Sequence, residues 1–198
     1  LKSQALLRIG VASGYEPISQ VREKTVKGIV VDYMEIISKS LDLRLEVKVY
    51  SDWQEAIKAL YSGDIDVLGR GSSYEENLPG LILSKPYILN QPVLVSRDDN
   101  KSKASMSGEK LAVVAGYLPF DDLRARFANK KIETYPTIKE ALHALEYKQA
   151  DWVIGDATTV AYHIALGELP SLRMRPLSDW SQAGYSFVMR SSDKPLMA

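Results

Sequence analysis

The sequence predicts an α/β fold of two similar lobes joined by two hinge strands, and three observations carry that prediction. Short β-type runs alternate with amphipathic helical segments along the chain, the pattern of sheets layered with helices and largely parallel strands. A helix-to-strand unit occurs twice: Glu55-Ala56-x-x-Ala59-Leu60 leading to Asp66, and Glu140-Ala141-x-x-Ala144-Leu145 leading to Asp151, at a constant offset of 85 residues. Upstream, Gly14-Tyr15-Glu16-Pro17-Ile18 is echoed by Gly116-Tyr117-Leu118-Pro119-Phe120 at an offset of 102. Ala, Leu and Glu are strong helix formers, so the helical echo alone is explained by propensity. Both echoes in the same order point to duplication, with a longer excursion in the first copy.

Taken in order, Leu6 to Ala12 reads as a buried strand. Val30, Met34, Ile37 and Leu41 then recur at helical spacing, and Arg44 to Tyr50 alternates with Leu45, Val47 and Val49 on one face. A second helix opens at Ser51-Asp52, where Asp52 and Glu55 have capping-box spacing, and closes at Gly63, suited to a left-handed cap. It feeds a strand from Asp66 to Leu68. In the second copy Lys110 to Ala115 is a strand, Thr137 and Glu140 cap a helix with the stripe Ile138, Ala141, Leu142 and Leu145, and Trp152 to Ile154 is the strand that follows.

The expected organisation is lobe 1 over 1–91, lobe 2 over 92–187 and a return segment over 188–198. Gln91 to Arg97 makes one crossing, followed by a polar, loop-like stretch from Asp98 to Gly108. Tyr185 to Arg190 makes the other. The start, Leu1-Lys2-Ser3-Gln4, does not read as a signal peptide, and Ser191 to Ala198 hold only the beginning of another element. Both fit a chain that is mature, excised from a longer one, or both.

Composition narrows the function. The 198 residues carry 25 Lys plus Arg against 25 Asp plus Glu, so no net field draws phosphate backbones or anionic lipid, and nucleic acid is not an expected partner. Zero Cys removes thiol catalysis, thiolate metal sites and disulfides together. No apolar run approaches the roughly 20 residues of a membrane span.

Ligands of open α/β sheets bind beyond the carboxyl ends of strands. Four such ends stand out: Gly14-Tyr15, the run Gly69-Arg70-Gly71-Ser72-Ser73-Tyr74, Ala115-Gly116-Tyr117, and Gly155-Asp156 before Thr158-Thr159. Glycines admit a ligand to the backbone, hydroxyls hydrogen-bond adaptably, and rings form an apolar or cation-attracting wall. The mixture suits a small polar molecule. Each residue also has a plainer reading: Gly69 and Gly71 as turn glycines, Asp156 as a helix cap, Arg70 as a solvated charge, Trp53 as core. Gly-x-Gly-x-x-Gly, Gly-Lys-Ser/Thr, Gly-x-Ser-x-Gly and His-Glu-x-x-His are absent, and His143 and His163 read as surface or capping residues. No catalytic residue, metal site or cofactor is expected.

The chain resembles bilobed type 2 periplasmic solute-binding proteins of the amino-acid-binding group. The matching residues are Leu7-Arg8-Ile9-Gly10-Val11 with Tyr15-x-Pro17-Ile18, Gly28-x-x-x-Asp32-Tyr33, Trp53 with Ala59-Leu60-x-Ser62-Gly63-x-x-Asp66-Val67, Ser84-x-Pro86-Tyr87, and Ala144-Leu145 with Asp151 and Asp156. Leu111 to Tyr117 and the Gly155-Asp156-Ala157 turn look more specifically like the Venus-flytrap sensor domains of BvgS/EvgS-like hybrid sensor histidine kinases.

The resemblance implies a periplasmic domain capturing a small organic solute, amino-acid-like or carboxylated, between lobes whose closure signals. It implies membrane association only through a parent receptor, with dimerisation possible there. Its contacts map onto Tyr15, Trp53, Gly71 and Ser72 in the first lobe, and onto Tyr117 and an ammonium-binding carboxylate, Asp156, in the second. One departure matters: the Arg that usually forks onto an α-carboxylate is here Asn77, and a neutral amide loses those charge-assisted bonds. Arg70, on the same loop, is the candidate to restore the positive charge. Two other functions stay open on this fold: a transporter-linked binding protein for amino acids or related acids, and a dehydratase-type enzyme.

Overall fold

The computed structural model describes residues 4–23, 25–98, 109–166, 169–178, 180 and 183–193. The chain forms two compact units, unit 1 comprising Leu1–Ile88 and Gly184–Ala198, and unit 2 comprising Leu89–Ala183. It therefore passes from one to the other twice. The polar stretch after Asp98 and the end of the chain after Asp193 lie outside the described residues.

Unit 1 contains β1 (Leu6–Ala12), the hairpin β2 (Gln20–Arg22) and β3 (Thr25–Lys27), α1 (Ile29–Ser40), β4 (Arg44–Tyr50), α2 (Trp53–Ser62), β5 (Val67–Gly71), α3 (Ser73–Glu76) and β6 (Leu81–Leu83). The first crossing is β7 (Ile88–Asn90). Unit 2 contains β8 (Pro92–Arg97), β9 (Lys110–Val114), α4 (Phe120–Arg126), β10 (Lys131–Tyr135), α5 (Ile138–Glu146), β11 (Trp152–Asp156), α6 (Ala157–Ala165) and β12 (Leu172–Pro176). The return strand is β13 (Ala183–Arg190).

The sheet of unit 1 runs β4-β1-β5-β13-β6, and that of unit 2 runs β10-β9-β11-β8-β12. In each, the first three strands are parallel and the last two pairings are antiparallel. The expectation of largely parallel strands thus holds for three strands of each sheet. β8 and β13 run the other way because each follows a crossing rather than a helical crossover, and only parallel neighbours need the latter. Duplication extends to register: Ile9 lies opposite Val67 in unit 1, and Leu111 opposite Trp152 in unit 2. The longer excursion of the first copy is the β2–β3 hairpin followed by a 12-residue α1, where unit 2 has the 7-residue α4.

Local chemistry explains where elements begin and end. Asp52 caps α2 by accepting the Glu55 N–H at 2.9 Å, and Gly63 ends it at φ 83°. The capping box is one-sided, since the Glu55 carboxylate takes the Ser51 hydroxyl at 2.7 Å instead. Thr137 caps α5 in the same way, accepting the Glu140 N–H at 3.2 Å. Apolar stripes then meet the sheets: Trp53, Ala56, Ile57 and Leu60 pack with Ile65, Leu68 and Val188 in unit 1. In unit 2, Ala141, Leu142 and Leu145 are buried, as are Leu111, Val153 and Ile154. β4 is an edge strand, so its alternation is only half covered and Val49 stays exposed.

Each unit is tied at one point by an arginine from its antiparallel strand. The Arg190 Nη1 donates to the carbonyls of Leu60 at 2.6 Å and Ile65 at 2.7 Å, and its Nη2 lies 3.7 Å from Asp66. In unit 2, Arg97 Nη1 donates to Leu145 O at 2.5 Å and Ala150 O at 2.8 Å, with Nη2 3.7 Å from Asp151. The aspartates complete the motif by accepting strand N–H groups, Asp66 from Arg8 at 2.9 Å and Asp151 from Lys110 at 3.0 Å. Asp66 also takes the Arg8 guanidinium at 2.7 Å.

Burial pushes the Asp66 carboxyl upward, but the hydrogen bonds and charge of Arg8 outweigh it and hold the group below its ordinary value of 3.8. A carboxyl depressed on folding stabilises the native state above its unfolded pKa, and that contribution fades as pH falls through the folded value. Asp66→Asn is therefore expected to be less stable than wild type at neutral pH, with the gap closing below 3.8 in acid-unfolding curves. A gap independent of pH would contradict this.

β5 packs so closely on β13 that a Cβ on Gly71 would stand 2.1 Å from Val188 Cγ2. Gly71→Ala should cost about 1–3 kcal/mol in urea melts, the range for overpacking a core. Val188→Ala in the same chain should return part of that loss, the coupling expected of residues in contact.

Candidate ligand-binding site

The candidate residues of unit 1 converge at the carboxyl ends of β1 and β5. β1 ends at Ala12, and the turn through Gly14, at φ 85°, presents Tyr15, whose backbone bridges to Ser19. β5 runs through Gly69-Arg70-Gly71 with every residue buried. Its two glycines have packing reasons: a Cβ on Gly69 would lie 2.8 Å from Val30 Cγ2, and Gly71 makes room for Val188.

Between them Arg70, only 7% exposed, is enclosed by rings rather than solvated. Its Cζ lies 4.0 Å from the Tyr15 ring centroid, 4.9 Å from Tyr185 and 5.1 Å from Trp53. Cation–π attraction of this kind strengthens as water is excluded. Beneath it, the Tyr87 hydroxyl donates to Gly69 O at 2.8 Å, and its ring stacks on Phe187 at 4.5 Å. Burial pushes the Tyr87 phenol above its ordinary value, with the Arg70 charge pulling the other way.

Ser72 and Trp53 share an acceptor, Glu75, which is 1% exposed. Glu75 Oε2 accepts the Ser72 N–H at 2.7 Å and the Ser72 hydroxyl at 3.1 Å, while Oε1 accepts the Trp53 indole N–H at 2.6 Å. The buried carboxylate is thus satisfied by three donors, as burial of a charge requires. Trp53 is packed in the core, the plainer reading offered for it, and its ring also faces Arg70. Asn77 lies just past α3 and is exposed.

In unit 2, Gly116 at φ 74° turns the chain after β9, and Tyr117 is buried with its hydroxyl donating to Asn90 Oδ1 at 3.0 Å. Asp156 ends β11 and caps α6: Oδ1 accepts the Thr159 N–H at 2.9 Å and Oδ2 the Thr159 hydroxyl at 2.5 Å. The capping reading of Asp156 is therefore realised in the structure. His163, expected at the surface or in a cap, is buried edge-on to Tyr162, because α6 turns it inward with Thr159 and Val160. His143 is half-buried against Tyr147. Among the described residues no cluster of His, Cys, Asp or Glu could hold a metal ion, and no helix is long and apolar enough to cross a membrane.

Three participants were missed from sequence. Glu75 stands at S-x-x-E spacing from Ser72, a capping-box signal that was available. Tyr185 lies more than a hundred residues from Arg70, and Asn90 sits in the first crossing. Nothing local to either marks its partner. Glu75→Gln would confront three donors with an amide that accepts through one oxygen only. It should cost about 1–3 kcal/mol in denaturant melts, with a shift in Trp53 fluorescence.

This chain belongs to the bacterial extracellular solute-binding proteins, family 3, whose profile matches residues 7–194. It is 32% identical over 200 residues to the virulence sensor protein BvgS of Bordetella bronchiseptica, an alignment covering 100% of this chain and 16% of that protein. The chain thus spans about a sixth of that relative's length. Its fold is the two-lobed, Venus-flytrap fold of solved relatives. The BvgS VFT2 domain of Bordetella pertussis, crystallised as a double mutant, superposes with a TM-score of 0.86 at 24% identity, over 97% of this chain and 83% of that one. The arginine-bound form of ArgBP from T. maritima gives 0.80 at 22% identity, over 98% and 92%.

Proposed function

We propose that the chain is a periplasmic, small-solute-binding sensor domain of a hybrid two-component sensor histidine kinase, itself non-catalytic, with ligand-coupled lobe closure as its output. The observation that carries this reading is the similarity to a sensor protein along the whole of the chain. Family membership supports solute capture as the means of sensing. A ligand moves such an equilibrium only by its differential affinity for the two states.

The proposed contacts are Tyr15, Trp53, Arg70, Gly71, Ser72 and Asn77 from unit 1, with Tyr117 and Asp156 from unit 2. Hydrogen bonding narrows the solute. The Ser72 donors are engaged by Glu75 and the Asp156 oxygens by Thr159, so both groups suited to an α-amino acid already have partners within the chain. The positive charge of Arg70 supports an anion, a small carboxylate, as the proposed class.

Thermal melts with acetate, succinate, nicotinate, glycine and glutamate test this, since a ligand at 100 times its Kd stabilises the native state by about 2.7 kcal/mol. A carboxylate is expected to raise the melting temperature of wild type and not of Arg70→Met. The same compound should change autophosphorylation of the parent receptor. Binding without any effect on phosphorylation would favour solute delivery to a transporter.

A further inference from the structure

Three aromatic side chains of unit 1 surround one cation. Tyr15 comes from the turn after β1, Trp53 from the first residue of α2, and Tyr185 from β13, the last being 1% exposed. Enclosures of this kind recognise quaternary ammonium and related cationic ligands. Here the cation arrives from β5 of the same chain. The space left beside Tyr15, Trp53 and Arg70 is about 10 Å³, at the lower edge of the ~10–15 Å³ that one water needs.

The geometry points to Arg70 as the built-in occupant of an aromatic cation cage, so that unit 1 rejects the cationic solutes its rings alone would attract. The cage is held from several sides. Gly69 and Gly71, on either side of Arg70, seat β5 tightly against Val30 and Val188. The Trp53 indole is anchored on the Glu75 carboxylate, and Gly69 O is held by the Tyr87 hydroxyl. Ring faces can cover the flat faces of a guanidinium, which is how the cage would hold it. Whether the rings admit a cationic solute is thereby decided by one residue of β5.

This inference rests on the solute-binding reading above, but its test needs no knowledge of the solute. Arg70→Ala empties the cage, and methylguanidinium chloride is the probe. The variant should melt below wild type, and millimolar methylguanidinium should raise its melting temperature while leaving wild type unchanged, with equimolar sodium chloride without effect. No response of Arg70→Ala, or an equal response of wild type, overturns the proposal. Arg70→Met fills the cage without a charge and should ignore the cation; a rise matching that of Arg70→Ala places the cation elsewhere and also overturns it. Should Arg70→Ala fail to fold, wild type decides by NMR: the Arg70 guanidinium protons are expected upfield from ring currents, and ordinary shifts refute the enclosure. Rescue of Arg70→Ala in a protein whose wild type answers to no carboxylate upholds the cage and refutes the carboxylate-sensing reading.

Discussion

Two guanidinium groups close the two sheets of this protein. A helix that ends against a sheet leaves carbonyls without partners, and a buried carbonyl must find a donor. At the end of α2 the Leu60 and Ile65 carbonyls converge on Arg190, and at the end of α5 those of Leu145 and Ala150 converge on Arg97. The aspartates of the repeat, Asp66 and Asp151, stand beside these arginines and hold the neighbouring parallel strand by its N–H. Helix end, parallel strand and antiparallel strand are thus fastened at a single polar point. The apolar stripes of α2 and α5 supply burial, but this point fixes where each helix stops relative to its sheet.

Much of that arrangement was legible. Asp52, Gly63 and Thr137 terminate helices by chemistry that acts within four residues, so their spacing is enough to identify them. The doubled EAxxAL–Asp unit announced two similar halves because its partners lie within one helix and the next strand. The arginines escaped notice for a topological reason. Arg97 precedes the rest of its unit and Arg190 follows nearly all of its own, so no constant offset relates them, and only the sheet orders make them equivalent. The direction of β8 and β13 was missed for the same reason.

The candidate site shows the same division between local and distant information. Tyr15, Arg70 and Ser72 were visible as strand-end residues and Trp53 through the family resemblance, and the structure of unit 1 brings them together. The partners that decide their chemistry were not visible. Tyr185 completes the ring enclosure from the far end of the chain, and Glu75 takes up donors that a strand-end serine would otherwise offer. Asp156 and Arg70 each had a bland and a sharp reading. Asp156 realises the bland one as a cap, whereas Arg70 is buried rather than solvated.

The place of β13 between β5 and β6 also bears on how the molecule is made. Leu89–Ala183 is contiguous and can complete its own sheet as soon as it emerges from the ribosome. The first 88 residues cannot, because the strand that supplies Arg190 and Val188 is translated after the whole of the other unit. Domains usually fold in the order of their synthesis. Here the half begun first is finished last, and until then its exposed β5 edge must wait unpaired in the nascent chain.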